Sequence, residues 1–287
     1  MAHEVVALGD IGATNTRLVV KDLNGLTIDE MHGMTIPGNY TGSVDFWVGQ
    51  WSHMAGKREI VAASLAVAAE VDPVSGVLTK SGGLHGWIGR NPAQDISRLL
   101  NRPVGVRNDV AAIAASQQYI NARNGLAVPG IASTLSSGWG GARYEEDSGI
   151  FPDEPGHEFL REGATCPCGE DGHAEAWIAG GGKKLNTGQD MQDWLKHPAN
   201  AQEFVKDLAT AVISSLLRHE RNKGFWPEEW RWTGSVALNQ QFLMQSVAQE
   251  VRSEMGTAAP AFDTATMGAH AGLHGMFVHA RELAQAA

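Results

Sequence analysis

Asp10-Ile11-Gly12-Ala13-Thr14-Asn15-Thr16-Arg17 follows directly on the apolar run Val5-Val6-Ala7-Leu8, so a strand delivers an aspartate and a turn of small residues to its end. Such a turn suits phosphate. Gly12 and Ala13 let backbone N–H groups approach an oxyanion, Thr14 and Thr16 add hydroxyl donors, and Asp10 can hold Mg²⁺ directly or through water. The same residues could form an ordinary β-turn, and what lies further along the chain decides between the readings.

Outward from that turn, Arg17–Asp22 and Leu26–Met34 read as two more strands, giving a short meander. Ile60–Val67 is a further apolar run leading into the turn Asp72-Pro73-Val74-Ser75-Gly76, and Pro92–Leu100 reads as an amphipathic helix. The strand Val104–Arg107 ends at Asn108-Asp109, and the Ala-rich stretch Val110–Gln118 is strongly helical, which puts Asp109 at or beside an N-cap. The second half repeats the opening logic: strand Ile131–Leu135, the turn Ser136-Ser137-Gly138-Trp139-Gly140-Gly141, then strand Ala142–Tyr144. Helical periodicity follows at Ala201–Lys223, Asn239–Met255 and Thr266–Gln285, with a strand at Trp230–Trp232 running into Thr233-Gly234-Ser235. Alternating strands and helices with two such turns imply an α/β protein of two lobes around a cleft.

Composition narrows the function. The chain has 287 residues, 43% hydrophobic and 19% charged, enough for two domains with cores of their own and unlike a disordered chain. Its net charge of −10 and scattered Lys and Arg argue against nucleic-acid binding. No stretch approaches the ~20 apolar residues of a membrane span, and Met1-Ala2-His3-Glu4 lacks a basic leader, so a cytoplasmic protein without a membrane partner is expected. The two cysteines, Cys166 and Cys168, are too close for an ordinary disulfide, which leaves metal ligation or plain thiols.

Taken in order, these motifs resemble the hallmarks of the ROK family, which comprises repressors, open-reading-frame proteins and sugar kinases. The resemblance rests on Asp10–Arg17, Asn108-Asp109, Ser137-Gly138-Trp139-Gly140-Gly141, Gly156-His157, the stretch from Cys166 to Glu175, and Thr233–Ala237. It implies a two-lobed actin-like ATPase (ribonuclease H-like) fold with a mixed sheet in each lobe. The smaller lobe would span residues 1–117 and recruit the C-terminal helix at about 275–287; the larger would span 118–274. The implied reaction moves the γ-phosphoryl group of ATP to a hydroxyl, the 6-OH, of a hexose such as glucose or of an N-acetylhexosamine.

The resemblance makes Asp109 the general base, and a helix N-terminus would favour its ionised form. Read as an isolated residue, it would be an N-cap. Asn108, Glu154, His157 and Glu175 would join Asp109 in binding sugar, carboxylates suiting that task because each oxygen accepts from a hydroxyl. Asp10, Gly12, Ala13, Thr14, Asn15, Arg17, Ser137, Gly138, Gly140, Gly234 and Ser235 would take the nucleotide and its Mg²⁺. His157, Cys166, Cys168 and His173 would hold structural Zn²⁺, with His173 at a position where the family usually has a third cysteine. A homodimer is also implied.

Some positions depart from the family pattern. Ala13 replaces a usual glycine, at a cost of about 1 kcal/mol if the backbone there needs positive φ. Ser136-Ser137-Gly138 replaces Gly-Thr-Gly, and in the stretch Gly82–Trp87 Gly83 stands where a sugar-contacting asparagine is usual. These departures keep open a catalytically silent sugar-binding protein as the alternative. A repressor would need a basic winged-helix domain ahead of Asp10, where only nine residues stand. Gly180-Gly181-Gly182-Lys183-Lys184 lacks Walker A spacing and reads as a loop near the nucleotide, and the nine Trp residues read as packing.

Overall fold

The structure is a computed structural model that describes residues 3–81, 83–126, 128–145 and 149–287; Gly82, the first residue of the Gly82–Trp87 stretch, lies outside them. The chain divides into two units, one built of residues 1–116 and 270–287, the other of residues 117–269.

In the first unit β1 (Glu4–Ile11), β2 (Asn15–Asp22) and β3 (Thr27–Met34) form the meander read from sequence. Helix α1 (Tyr40–Ala55) then crosses to β4 (Glu59–Val67), which pairs parallel to β1. A small hairpin of β5 (Glu70–Val71) and β6 (Leu78–Lys80) precedes α2 (Pro92–Leu100), and β7 (Val104–Asn108) pairs parallel to β4. The mixed sheet therefore runs β3-β2-β1-β4-β7. Five apolar or aromatic residues of α1, Tyr40, Val44, Trp47, Trp51 and Met54, are buried against one face. Trp51 Nε1 donates to the Leu8 carbonyl (3.1 Å), which satisfies the indole N–H inside the core.

Helix α3 (Asp109–Arg123) carries the chain out of the first unit at Ser116. In the second, β8 (Gly130–Leu135), β9 (Trp139–Glu145) and β10 (Gly149–Asp153) form another meander. Then come α4 (Ala174–Ile178), α5 (Gly180–Thr187), α6 (Met191–Trp194) and the 26-residue α7 (Pro198–Lys223). Strand β11 (Glu229–Thr233) lies parallel between β8 and β12 (Ala261–Thr264), with α8 (Ser235–Asn239) and α9 (Gln241–Met255) between the two in sequence. The order β10-β9-β8-β11-β12 repeats the first sheet's plan of a meander followed by two parallel strands, without any repeat in the sequence. The chain returns to the first unit as α10 (Ala271–Ala286), whose Leu273, Met276, Phe277 and Ala280 pack with Val6, Leu8, Val19, Ala62 and Ala66 on the second face of that sheet.

Several elements differ from expectation: α1 and β10 lie outside the expected elements, and β9 begins at Trp139 rather than Ala142, inside the expected turn. The helix expected over Asn239–Met255 is broken at Gln240 into α8 and α9. The last helix starts at Ala271 rather than Thr266, because Gly268 turns the backbone at φ +51°. Gly180–Lys184 is the start of helix α5, not a loop. Packing overrides the poor helix propensity of glycine there: a Cβ on Gly181 would stand 2.7 Å from the Ser137 carbonyl oxygen, and one on Gly182 would stand 2.3 Å from that of Glu175. Most of the Trp residues are indeed packing, with Trp51, Trp87, Trp139 and Trp230 fully buried.

Candidate functional site

In the first unit, Asp10 lies at the end of β1 and Asp109 follows the end of β7, two strands that both pair with β4. Asn108, not Asp109, caps α3: its Oδ1 accepts from the N–H groups of Val110 (2.9 Å) and Ala111 (3.2 Å), while its Nδ2 donates to the Ala69 carbonyl. Asp109 is thus the helix's first residue, its carboxylate accepting from the Val110 N–H (3.0 Å), its own N–H and the Asn108 side chain. Burial pushes the Asp109 carboxyl up to about 6, the neighbouring Asp10 charge pushes the same way, and backbone donors pull back only in part. The helix terminus therefore does not leave this group an ordinary ionised aspartate. Asp10 is raised as well, by burial, with Arg17 opposing.

The turn between β1 and β2 is closed by the Gly12 N–H donating to the Asn15 carbonyl (2.9 Å) and clamped by Thr35, whose N–H reaches the Thr14 carbonyl and whose hydroxyl reaches that of Gly12. Thr16 is not available as a donor to phosphate, since it is buried and its hydroxyl is bonded to that of Thr35 (2.9 Å). Thr14 and Asn15 are exposed. Arg17 is committed to Glu30 (2.8 Å) and His270 (3.3 Å). Ala13 carries no strain of the expected kind, because among the described residues Asn101 is the one non-glycine with positive φ. Gly83 has its own reason: a Cβ there would lie 2.3 Å from the Ala13 methyl.

In the second unit the turn Ser136–Gly138 joins β8 to β9, with the Ser136 N–H donating to the Gly138 carbonyl; Gly140 belongs to the strand. Trp139 does not obstruct this turn, because its ring is buried and stacked on Trp232. The Ser136 and Ser137 carbonyls accept from the Gly180 and Gly181 N–H groups (2.8 and 2.7 Å), so the glycine run of α5 buttresses the turn. Gly234, at φ +90°, abuts the Leu135 backbone and leads into Ser235, the exposed first residue of α8.

Glu175 and the Glu154–His157 segment meet beside this turn. Glu175 Oε2 accepts from the Trp139 N–H (2.9 Å), and Cβ atoms on Gly138 or Gly156 would come within 3.0 and 3.1 Å of that oxygen. Burial raises the Glu175 carboxyl. Glu154 is exposed and precedes the turn Pro155–His157. Just before it, burial pushes the Asp153 carboxyl up, but His219 and Arg218 outweigh burial and hold it below the ordinary range.

His157, Cys166, Cys168 and His173 converge, their ligand atoms all lying within 4.8 Å of one another. Nδ1 of His157 is 3.4 Å from Nδ1 of His173 and 3.8 Å from Cys166 Sγ, and Cys168 Sγ is 3.3 Å from His173 Nδ1. Zn–N and Zn–S bonds at tetrahedral angles need donors roughly 3.3–3.8 Å apart, so these four residues fit the ion. The tight Cys-x-Cys spacing is accommodated by Gly169 (φ +98°) and Gly172 (φ +80°).

Nearly the whole chain aligns with one family. The family described as ROK matches residues 7–283. A search of curated protein sequences gave no match. Among solved structures, a ROK family glucokinase from Streptomyces griseus in complex with glucose and AMPPNP superposes with a TM-score of 0.76 at 19% identity, over 97% of this chain and 99% of that one. A ROK hexokinase from Thermus thermophilus gives 0.74 at 21% identity, over 99% and 100%. A ROK family transcriptional regulator, a homolog of the E. coli MLC protein, gives 0.73 at 14% identity, over 97% of this chain and 81% of its own. The fold, a mixed sheet in each unit as in ROK sugar kinases of actin-like ATPase architecture, agrees with the sequence match, and the chain belongs to the ROK family.

Proposed function

We propose that the protein is an ATP-dependent sugar kinase, moving the γ-phosphoryl group of ATP to a hydroxyl, the 6-OH, of a hexose such as glucose or of an N-acetylhexosamine. The observation that carries this reading is the Asp10–Asp109 pair. A sugar hydroxyl is a poor nucleophile until a carboxylate takes its proton, and Asp109, raised to about 6, is matched to that task near neutral pH. Burial is the main cause of that rise and the like charge of Asp10 adds to it, and a pair of mutually repelling carboxylates suits a divalent cation. Held by Asp10, Mg²⁺ would neutralise phosphate charge. With the Gly12 N–H already given to Asn15, the amides of Ala13 and Thr14 and the hydroxyls of Thr14 and Ser137 are this chain's donors to phosphate, and Gly138, Gly234 and Ser235 give the nucleotide close approach. Asn108, its Oδ1 spent on the cap and one Nδ2 hydrogen on the Ala69 carbonyl, would have only the other Nδ2 hydrogen, which it shares with Asp109, to offer sugar. Glu154 and Glu175 accept from the remaining hydroxyls and His157, its Nδ1 turned to the Zn²⁺ site, donates from Nε2–H, with Zn²⁺ at His157, Cys166, Cys168 and His173 fixing the loop between Glu154 and Glu175. A cytoplasmic homodimer accompanies this reading.

The test is ADP release with Mg-ATP across hexoses, N-acetylhexosamines and amino sugars, with polyphosphate as a second donor and Asp109→Ala as control. Sugar-dependent turnover abolished in the variant supports the kinase. Sugar binding without turnover on either donor replaces it with a silent binder, a role compatible with the fold that a family regulator shares.

A further inference from the structure

Resting on the reading of Glu154 and His157 as sugar-binding groups, we infer that Arg218 is the positioning residue of that turn, a strap that ties its two ends together from helix α7. The turn is bracketed by two carboxylates five residues apart, Asp153 before it and Glu158 after it. One nitrogen, Nη2 of Arg218, holds both: Asp153 Oδ1 at 2.8 Å and Glu158 Oε1 at 2.5 Å. The adjacent helix residue, His219, takes the second Asp153 oxygen at 3.0 Å. Asp153 and His219 are buried, and the His219 ring is wedged edge-on against Phe225 at 5.8 Å, so its Nε2 cannot swing away.

The helix that carries this grip is stiff. Phe204, Leu208, Val212 and Leu216 set α7 into the core of the second unit, and Ser215 Oγ, itself buried, stands 3.4 Å from the same Nη2. Charge-assisted hydrogen bonds to Asp153 and an ion pair to Glu158, both from a fixed helix, restrain the two ends of the turn in addition to its own backbone bonds, which include His157 N–H to Glu154 O and Glu158 N–H to Pro155 O at 3.1 and 3.3 Å. The constraint reaches the third sugar-binding group as well. The Glu158 carbonyl accepts from the Ala174 N–H (2.8 Å), next to Glu175. Arg218 touches neither sugar nor phosphate in this account; it acts through the residues on either side.

The test compares wild type, Glu158→Gln, Arg218→Gln and Arg218→Lys by calorimetric sugar affinity, sugar KM, ATP KM, zinc content and Tm. Glu158→Gln removes one end of the strap from a half-buried surface position and leaves the Asp153–Arg218–His219 cluster whole, so it tests the idea even if Arg218→Gln fails to fold. Expected are a sugar Kd and KM raised roughly tenfold in both glutamine variants, with ATP KM and kcat little changed and zinc retained, and recovery in Arg218→Lys, whose single ammonium can serve both carboxylates. Glutamine variants that lower Tm but leave sugar affinity at the wild-type value would overturn the strap while leaving the kinase reading standing. Wild-type protein that binds no sugar would remove that reading, and the strap with it.

Discussion

As the proposed base, Asp109 would face two opposed demands, since a base must be ionised and its surroundings favour the proton. Its pKa of about 6 lies above the ordinary 3.8, so the folded chain binds that proton more tightly than the unfolded chain does. The resulting penalty is absent below about pH 4, grows as pH rises, and is complete above about pH 6. Asp109→Asn should therefore stabilise the fold at pH 7.5 by about 1–3 kcal/mol and give no such gain at pH 4, while turnover disappears; urea unfolding at both pH values together with the ADP assay checks this. For the wild type, kcat/KM should fall as pH drops through about 6. A second prediction concerns Ala13 and Gly83. A methyl at position 83 has no room beside Ala13, so Gly83→Ala should cost about 1–3 kcal/mol and Ala13→Gly/Gly83→Ala should recover most of it, as measured in a double-mutant cycle by urea unfolding. Additive effects would show that the two residues do not meet. The Ala13 methyl fills the space that a side chain at position 83 would need.

At the scale of elements, what the sequence made legible was whatever is written in local periodicity and turn chemistry. The first meander, strand β8, the helix after Asn108 and the strand before Gly234 stand where alternation and small residues put them, whereas β9 starts within the expected turn and β10 lies outside the expected strands. Helix α1 was not legible, although Tyr40, Val44, Trp47, Trp51 and Met54 recur at spacings of three and four behind the Asn39 cap, because aromatic and glycine content masks that stripe. Nor was helix α5. Its glycines argue against a helix locally, and tertiary contacts account for them: the Ser136 and Ser137 carbonyls, some forty positions earlier, for Gly180 and Gly181, and the α4 backbone at Glu175 and Ala176 for Gly182. The Arg218 strap was hidden for a similar reason, because nothing in the sequence joins position 218 to positions 153 and 158. A prediction follows for α5. Gly182→Ala would gain about 1 kcal/mol of helix propensity elsewhere, yet here its Cβ would stand 2.3 Å from the Glu175 carbonyl and 2.6 Å from the Ala176 Cα. Net destabilisation of about 2 kcal/mol or more is expected by thermal or urea unfolding, whereas a gain would mean that α5 can back away from α4.

For the molecule as a whole, the two units do not draw their order from the same sources. The first is closed by apolar packing on both faces of its sheet, and it recruits α10 from the far end of the chain to cover one of them. The second has a large core, but the segment from His157 to His173 contributes to it only sparsely; Ala164 and Cys166 form a small satellite cluster with Ala176 and Trp177. Backbone bonds such as Cys166 N–H to Glu170 O and Gly172 N–H to Ala164 O close its turns, and four metal-ligating side chains converge inside it. With the proposed Zn²⁺ bound, such a loop would be ordered largely by the ion, and the free energy of binding would become local folding free energy. Chelation should therefore lower Tm by roughly 10 °C, since zinc at a thousandfold excess over its Kd contributes about 4 kcal/mol. Hydrogen exchange should place the loss: amides between residues 157 and 176 gain exchange while those of β1 and β4 keep their protection. Sugar affinity should fall with the metal, because Glu154 precedes this loop and Glu175 follows it. Cys168→Ser, at an exposed ligand, should reproduce all three effects without chelator. Unchanged exchange in that segment after complete zinc removal would mean that packing alone orders it, and the zinc assignment would then lose its structural role.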